Sequence, residues 1–225
     1  MVDLLQTKDS LVFSFNLTYV LMITTGTITL IEALRTKIPL VRHIFNLETV
    51  ISIIAGYFYG KYVSKINESF ECGKPINWGE IVRTRYLDWA ITTPLMLLVF
   101  MNVLAHHQNH TPKFQVYVVI VLLNYFMLYT GYKGELLKDN NGYYVMSFMA
   151  FFLMFGIIYW LYVRPKYVRF NYVLFFVFFV IWSMYGVVYK MDIRTRNIVY
   201  NVLDLIAKSF VGIGLWVYFT HLFVI

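Results

Sequence analysis

Asp204 and Lys208 stand four residues apart in the run Asn201-Val202-Leu203-Asp204-Leu205-Ile206-Ala207-Lys208-Ser209. On a helix that spacing puts a carboxylate and an amine on one face, about one turn apart. A second run, Arg85-Tyr86-Leu87-Asp88-Trp89-Ala90-Ile91-Thr92-Thr93-Pro94, aligns Arg85, Asp88 and Thr92 in the same way, with Trp89 beside them. Set face to face, the two stripes contribute two cations and two anions. That neutral total is what a buried cluster needs, because an unmatched charge would lose its proton or draw in water. Desolvation disfavours an ammonium, so lysines in apolar surroundings are often nucleophilic and condense with an aldehyde to a Schiff base. Two aspartates beside such an imine can keep it protonated. The competing reading is a salt-bridge cluster that only fixes helix packing.

The neighbouring aromatic residues bear on which aldehyde would fit. Trp182, Tyr185 and Tyr189 fall at i, i+3 and i+7, one helical stripe, and Met127 and Gly131 are i and i+4. Together they would leave room for a slender apolar ligand, although such a stripe is also what plain core looks like. No nucleophile, base and orienting group occur in a pattern that suggests an enzyme. One cysteine, Cys72, excludes an internal disulfide and any multi-cysteine metal site. His106, His107 and His110 read as a solvated loop, and no metal is expected.

These residues lie in a chain of 225 residues that is 60% hydrophobic and only 14% charged. Soluble domains are about 45–50% apolar and about 25% charged, so a water-soluble domain is excluded. The aromatic share of 20% suits surfaces that meet lipid and an apolar ligand. The net charge of +7 is spread over short clusters between apolar stretches, which points to lipid headgroups and away from nucleic acid. A helix needs roughly 20 apolar residues to cross the hydrocarbon core. Seven segments qualify, near 10–33, 40–62, 78–102, 112–133, 142–163, 168–190 and 194–223. The expected fold is all-α, a seven-transmembrane helix bundle in a single domain over 1–225. Only the stretch from Lys61 to Trp78 is long enough for a small structure of its own, such as a hairpin. The N-terminus shows no pattern of a cleaved signal peptide. The joints after segments one, three and five carry Arg35, Lys37, Arg42, Lys113, Arg164, Lys166 and Arg169 without an acid. That density favours an N-terminus outside and a C-terminus in the cytoplasm, although the total count of basic residues does not decide it. Within the spans fall Glu32, near a helix end, and Glu48, Asp88, Asp204, Arg85 and Lys208, which lie deeper. An ionised group at the bilayer centre costs at least about 2.5–3.5 kcal/mol, so such residues usually pair and usually have a function.

The sequence resembles the microbial (type 1) rhodopsins over nearly its whole length. Arg85 to Leu95 follows that family's third-helix pattern without a gap, Asp204-x-x-x-Lys208 its seventh-helix pattern, and Trp182-x-x-Tyr185 its sixth-helix pattern. Within the family the chain is most similar to the viral rhodopsins of large algal and protist viruses. The resemblance implies all-trans-retinal bound covalently to Lys208. It implies Asp88 and Asp204 as paired counterions, with Asp88 accepting the Schiff-base proton and Thr92 bonded to it. Arg85 would sit on the extracellular side, Tyr59 would bond near Asp204, and Trp89, Thr93, Met127, Gly131, Trp182, Tyr185 and Tyr189 would line the retinal site. The family also places the N-terminus outside.

The departures bear most on function. Proton pumps of this family carry a carboxylate eleven residues after the first counterion, and here that position is Val99. Gly186 stands where a proline is usual, Tyr189 where a tryptophan is common, and Asn124 where an aspartate is common. No glutamate pair is present at the outer end of helix seven, which offers Asp192, Arg194 and Arg196. Glu48, three turns from Tyr59 on helix two, reads as a substitute proton donor, as part of a hydrated cation path with Asn201, Ser14 or Asn16, or as a structural acid. The expected function is light-activated ion movement across a lipid bilayer, with protons or small cations as the ions. The balance favours a light-gated cation channel over an outward proton pump, and a sensory rhodopsin acting through a partner is the third class. An oligomer of identical copies is compatible with the sequence.

Overall fold

The computed structural model describes residues 2–106, 108, 111–137 and 141–220, with side chains from residue 9 onward. These residues are helical throughout apart from short joints, and no strand occurs among them. The elements are α1 (Val2–Arg35), α2 (Pro39–Glu71), α3 (Trp78–His106), α4 (Phe114–Leu136), α5 (Asn141–Tyr162), α6 (Arg169–Val188) and α7 (Ile193–Asp204). A π-helical turn, Leu205–Phe210, then leads into α8 (Val211–Thr220), so that α7 and α8 together form the seventh pass. Six of these passes are long and apolar enough to cross a membrane by length and composition alone. The remaining pass, α2, carries Arg42, His43, Asn46, Glu48 and Lys61. It buries the acid among these instead of presenting a uniformly apolar surface.

No hairpin forms between Lys61 and Trp78. Helix α2 runs on to Glu71 because Tyr59, Tyr62 and Ile66 continue its buried face at helical spacing, packed with Leu11, Phe15 and Ile81. The helix stops at Cys72-Gly73, where Gly73 takes a φ of 63°, a left-handed conformation that glycine adopts without a Cβ penalty. The amides of Gly73 and Lys74 then close the last turn on the carbonyls of Phe70 and Ser69.

The chain divides into two compact units, Met1–Asp88 with Val188–Ile225, and Trp89–Val187. In the first, α1 packs along α2 and against α7, the π turn and α8. Gly56 makes the close approach of α1 to α2 feasible, since a Cβ there would lie 2.7 Å from Ile23 Cδ1. Helix α7 starts at Asp192, whose carboxylate accepts the Thr195 amide at 2.9 Å, the usual satisfaction of an N-terminal orphan donor. In the second unit the core is aromatic: Phe100 stacks on Phe178 at 4.4 Å, and Phe155 meets Phe151 at 4.7 Å and Trp182 at 5.8 Å.

Candidate functional site

The first unit holds the charged cluster that the sequence placed on two stripes. Lys208 Nζ lies 2.9 Å from Asp88 Oδ2 and 3.9 Å from Asp204 Oδ1. On its other oxygen Asp204 accepts the Tyr59 hydroxyl at 2.7 Å and faces Arg85 Nη1 at 3.4 Å. Arg85 also donates to the Tyr59 hydroxyl at 3.1 Å, to Asn197 Oδ1 at 3.1 Å and to Asn201 Oδ1 at 2.8 Å. All of these side chains are buried. Charges with so little water near them are stable only when paired and hydrogen-bonded, and this set is both. The rings of Phe15, Tyr59, Tyr62 and Tyr200 surround the guanidinium at 5.2–5.8 Å, close enough for cation–π attraction.

The cluster continues along α1. Asn201 Nδ2 donates to Ser14 Oγ at 3.0 Å, and Ser14 donates to the Leu11 carbonyl. Glu48 is not part of that group. It is buried against Gly212, four residues beyond Lys208, where a Cβ would come within 3.0 Å of both Glu48 Oε2 and Thr25 Cγ2. Asn201, by contrast, precedes Lys208 by seven residues, so Glu48 and the Ser14–Asn201 pair sit on opposite sides of the lysine. Asn16 turns elsewhere, bonding the Val12 carbonyl at 2.9 Å and lining a surface cavity of about 520 Å³ with Asp9, Phe13, Asn67 and Glu71. Around Glu48, Thr25 Oγ1 and Ser52 Oγ are buried with no hydrogen-bond partner among the described residues. Glu32 is half-buried near the end of α1. Tyr189 is buried in this unit and its carbonyl accepts Arg196 Nη1 at 2.8 Å.

The second unit carries most of the residues expected at the retinal. Trp89 meets Tyr185 edge-on at 5.3 Å, and Trp182 is buried. Thr93 donates to the Trp89 carbonyl at 2.6 Å and accepts from Asn124 Nδ2 at 2.8 Å. Thr92 is fully buried. Met127 and Gly131 are half-buried, with the Met127 carbonyl accepting from Ser147 at 3.0 Å. Val99 lies in the apolar core at 1% exposure, so no titratable group occupies that position. His106 is exposed, while His107 and His110 lie outside the described residues.

A lysine that is to hold an aldehyde cofactor needs dry surroundings and a carboxylate within hydrogen-bond reach. Lys208 has both, with 2% exposure and Asp88 at 2.9 Å, so the donor set fits retinal. A family model described as bacteriorhodopsin-like protein matches residues 9–222. The chain is a microbial rhodopsin. Its fold and 42% of its sequence agree with the crystal structure of the viral rhodopsin OLPVRII, at a TM-score of 0.86 and covering 95% of this chain and 99% of that one. The proton pumping rhodopsin AR2 of the marine alga Acetabularia acetabulum shares the fold at 18% identity, TM-score 0.77 and 96% coverage of each chain. The blue light-absorbing proteorhodopsin from Med12 does so at 19% identity and TM-score 0.70, covering 92% of this chain and 95% of that one. No curated protein matches.

Two features of this rhodopsin escaped the sequence reading. Asn197 was not singled out, although Asn197, Asn201, Asp204 and Lys208 recur at i, i+4, i+7 and i+11 on one helical stripe. The π turn at Leu205–Phe210 has no marker, since its residues include neither proline nor glycine. Such turns occur mostly singly and often at functional sites, and this one carries the lysine.

Proposed function

We propose that this multi-pass membrane protein is a retinal photoreceptor that opens a passive path for protons or small cations in light. In this reading all-trans-retinal is joined to Lys208. Trp89, Thr93, Met127, Gly131, Trp182, Tyr185 and Tyr189 are assigned to its surroundings on the family pattern. The N-terminus is outside and the C-terminus cytoplasmic. Retinal held at Lys208 would supply a light-driven isomerisation. Asp88 Oδ2, the carboxylate oxygen nearest the Lys208 nitrogen, would accept that nitrogen's proton. Asp204 is already engaged by Tyr59 and Arg85, so it anchors the guanidinium. Thr92 is assigned to the support of Asp88.

The observation that carries the reading is where buried polar groups lie in the first unit. Ser14, Tyr59 and Arg85 bond to Asn201 and Asp204, which come before Lys208 on its helix, whereas Glu48 and Thr25 lie against Gly212, which comes after it, and all of these side chains are buried. An ion crossing a bilayer needs such groups on both sides of a light-sensitive centre. An outward proton pump is the second reading, favoured by the Asp88–Lys208 contact and by the Arg85–Asp204 pair. Val99 argues against it, because valine cannot return a proton.

Voltage-clamp recording of the retinal-loaded protein under green and blue light, through both signs of voltage, decides between them. A photocurrent whose sign reverses with the ion gradient is the expected result. A current that stays outward at every voltage and depends on protons would establish the pump. A visible photocycle without current would favour the sensory class. The variant Lys208→Ala should lose visible absorption altogether, and surviving colour would remove the covalent link from the proposal.

A further inference from the structure

The second unit ends, at the start of α4 and α6, in an unbroken set of positive charges. Lys113 precedes α4, Arg164 and Lys166 lie in the joint between α5 and α6, and Arg169 opens α6. All four are exposed. Residues 106–113 and 162–169 contain no Asp or Glu, and none of the four cations pairs with an acid among the described residues.

The joint is held in place by buried amides. Gln108 Nε2 donates to the carbonyls of Tyr162 at 3.3 Å and Lys166 at 3.0 Å. Asn171 Nδ2 donates to Leu104 at 2.8 Å and Tyr162 at 3.4 Å. These bonds tie the end of α3 to the α5–α6 joint, so the basic side chains project from a fixed backbone. Arg164 is oriented further, with its guanidinium 3.7 Å from the Trp160 ring centre. The N-cap of α4, Lys113, provides no side-chain acceptor, which leaves the first amides of that helix free to favour an anion.

The adjoining aromatic residues indicate where that anion resides. Trp160, Phe114 and Tyr167 are 60%, 74% and 76% exposed. Large rings beside a cationic rim are the pattern of the membrane interface, and they would have no role around an anion taken from water. We propose that this end of the second unit binds the phosphate headgroup of an anionic phospholipid. Arg164, Lys166, Arg169 and Lys113 supply the charge, and the exposed rings meet the glycerol and upper acyl region. A zwitterionic headgroup carries its own cation and is the poorer ligand.

The test uses the full-length protein in detergent, titrated with phosphatidylglycerol or phosphatidylcholine and observed by native mass spectrometry. Wild type should retain phosphatidylglycerol in preference to phosphatidylcholine. The double variant R164Q/K166Q should weaken phosphatidylglycerol binding by about thirty-fold, on the scale of two basic residues at an anionic surface. R35Q/K37Q, which removes as much charge from the α1–α2 joint, should leave it unchanged. R164K/K166R keeps the charge and should bind as wild type does. Equal loss in R35Q/K37Q would overturn the site in favour of general charge attraction. Undiminished binding in R164Q/K166Q would overturn it too, as would loss in R164K/K166R with helix content intact. Displacement of the lipid by millimolar inorganic phosphate would show a site for a free anion instead.

Discussion

Asp204 receives the Tyr59 hydroxyl at 2.7 Å and Arg85 Nη1 at 3.4 Å, and reaches Lys208 only at 3.9 Å, whereas Asp88 meets Lys208 at 2.9 Å. Two identical side chains are thus separated in role by their neighbours, since a carboxylate already engaged by a cation and a hydroxyl has less to offer a third partner. Attraction falls with distance, so Asp88 is the main electrostatic partner of whatever charge the Lys208 nitrogen carries. In the retinal-loaded protein Asp88→Asn should move the visible band to the red, and further than Asp204→Asn does. Absorption spectra of the two variants check this, and an unchanged band in Asp88→Asn would remove it as the main counterion. The spacing of Asp204 and Lys208 and the Arg85–Asp88–Thr92 stripe were legible in the sequence because ionisable residues in apolar runs stand out. What Asp204 prefers was less legible, because it depends on Tyr59, 145 residues away in the chain.

At the scale of elements, hydropathy located the other passes within a few residues, yet it could not see the start of α1 at Val2, the end of α2 at Glu71 or the π turn. Helix α2 outruns its apolar stretch because Tyr62 and Ile66 are buried by Leu11, Phe15 and Ile81, contacts made by other segments. The π turn is likewise a product of packing, with no glycine or proline to announce it. Gly186 shows the opposite case, in which a local departure has a visible partner. A Cβ there would collide with Phe148 Cζ, so the ring of α5 fills the space that a side chain on α6 would take. Gly186→Ala should therefore destabilise the protein by about 1–3 kcal/mol, the usual cost of overpacking. Adding Phe148→Ala should restore part of it, and a double-mutant cycle of thermal unfolding in detergent measures the coupling. Additive effects would show that ring and glycine are independent. The start of α7 makes a prediction about pH. The Thr195 hydrogen bonds to Asp192 hold its carboxyl below the usual carboxylate range. A lowered value in the folded state adds stability that is present above pH of about 4 and lost as pH falls through the folded value. Asp192→Asn keeps the cap without a titrating group. Its stability, relative to wild type, should be lower at neutral pH and converge once pH falls below the folded-state value of Asp192, as followed by circular dichroism.

Across the whole molecule, buried polarity is unevenly distributed. The first unit buries Glu48, Arg85, Asp88, Asp204 and Lys208, while the second buries no charged side chain among the described residues and is filled by stacked rings. In the proposed reading, a light-driven change at Lys208 has polar groups to act on along α1, α2, α7 and α8 of its own unit. Glu48 is the residue that separates the two transport readings. It is buried, it faces the bare backbone of Gly212, and Thr25 and Ser52 offer hydroxyls without other partners among the described residues. Glu48→Gln preserves that shape while removing both the charge and the proton. If Glu48 lines a cation path, the photocurrent should change in size or in reversal potential while the photocycle recovers at its normal rate. If Glu48 returns a proton to the Lys208 nitrogen, recovery should slow by about 10²-fold or more, the scale set by losing a general acid, and the current should fall with it. The conductance reading expects the first outcome. Recording current and flash-induced absorbance on the same preparation distinguishes the two, and a variant that alters neither would leave Glu48 a packing residue and move the path away from α2.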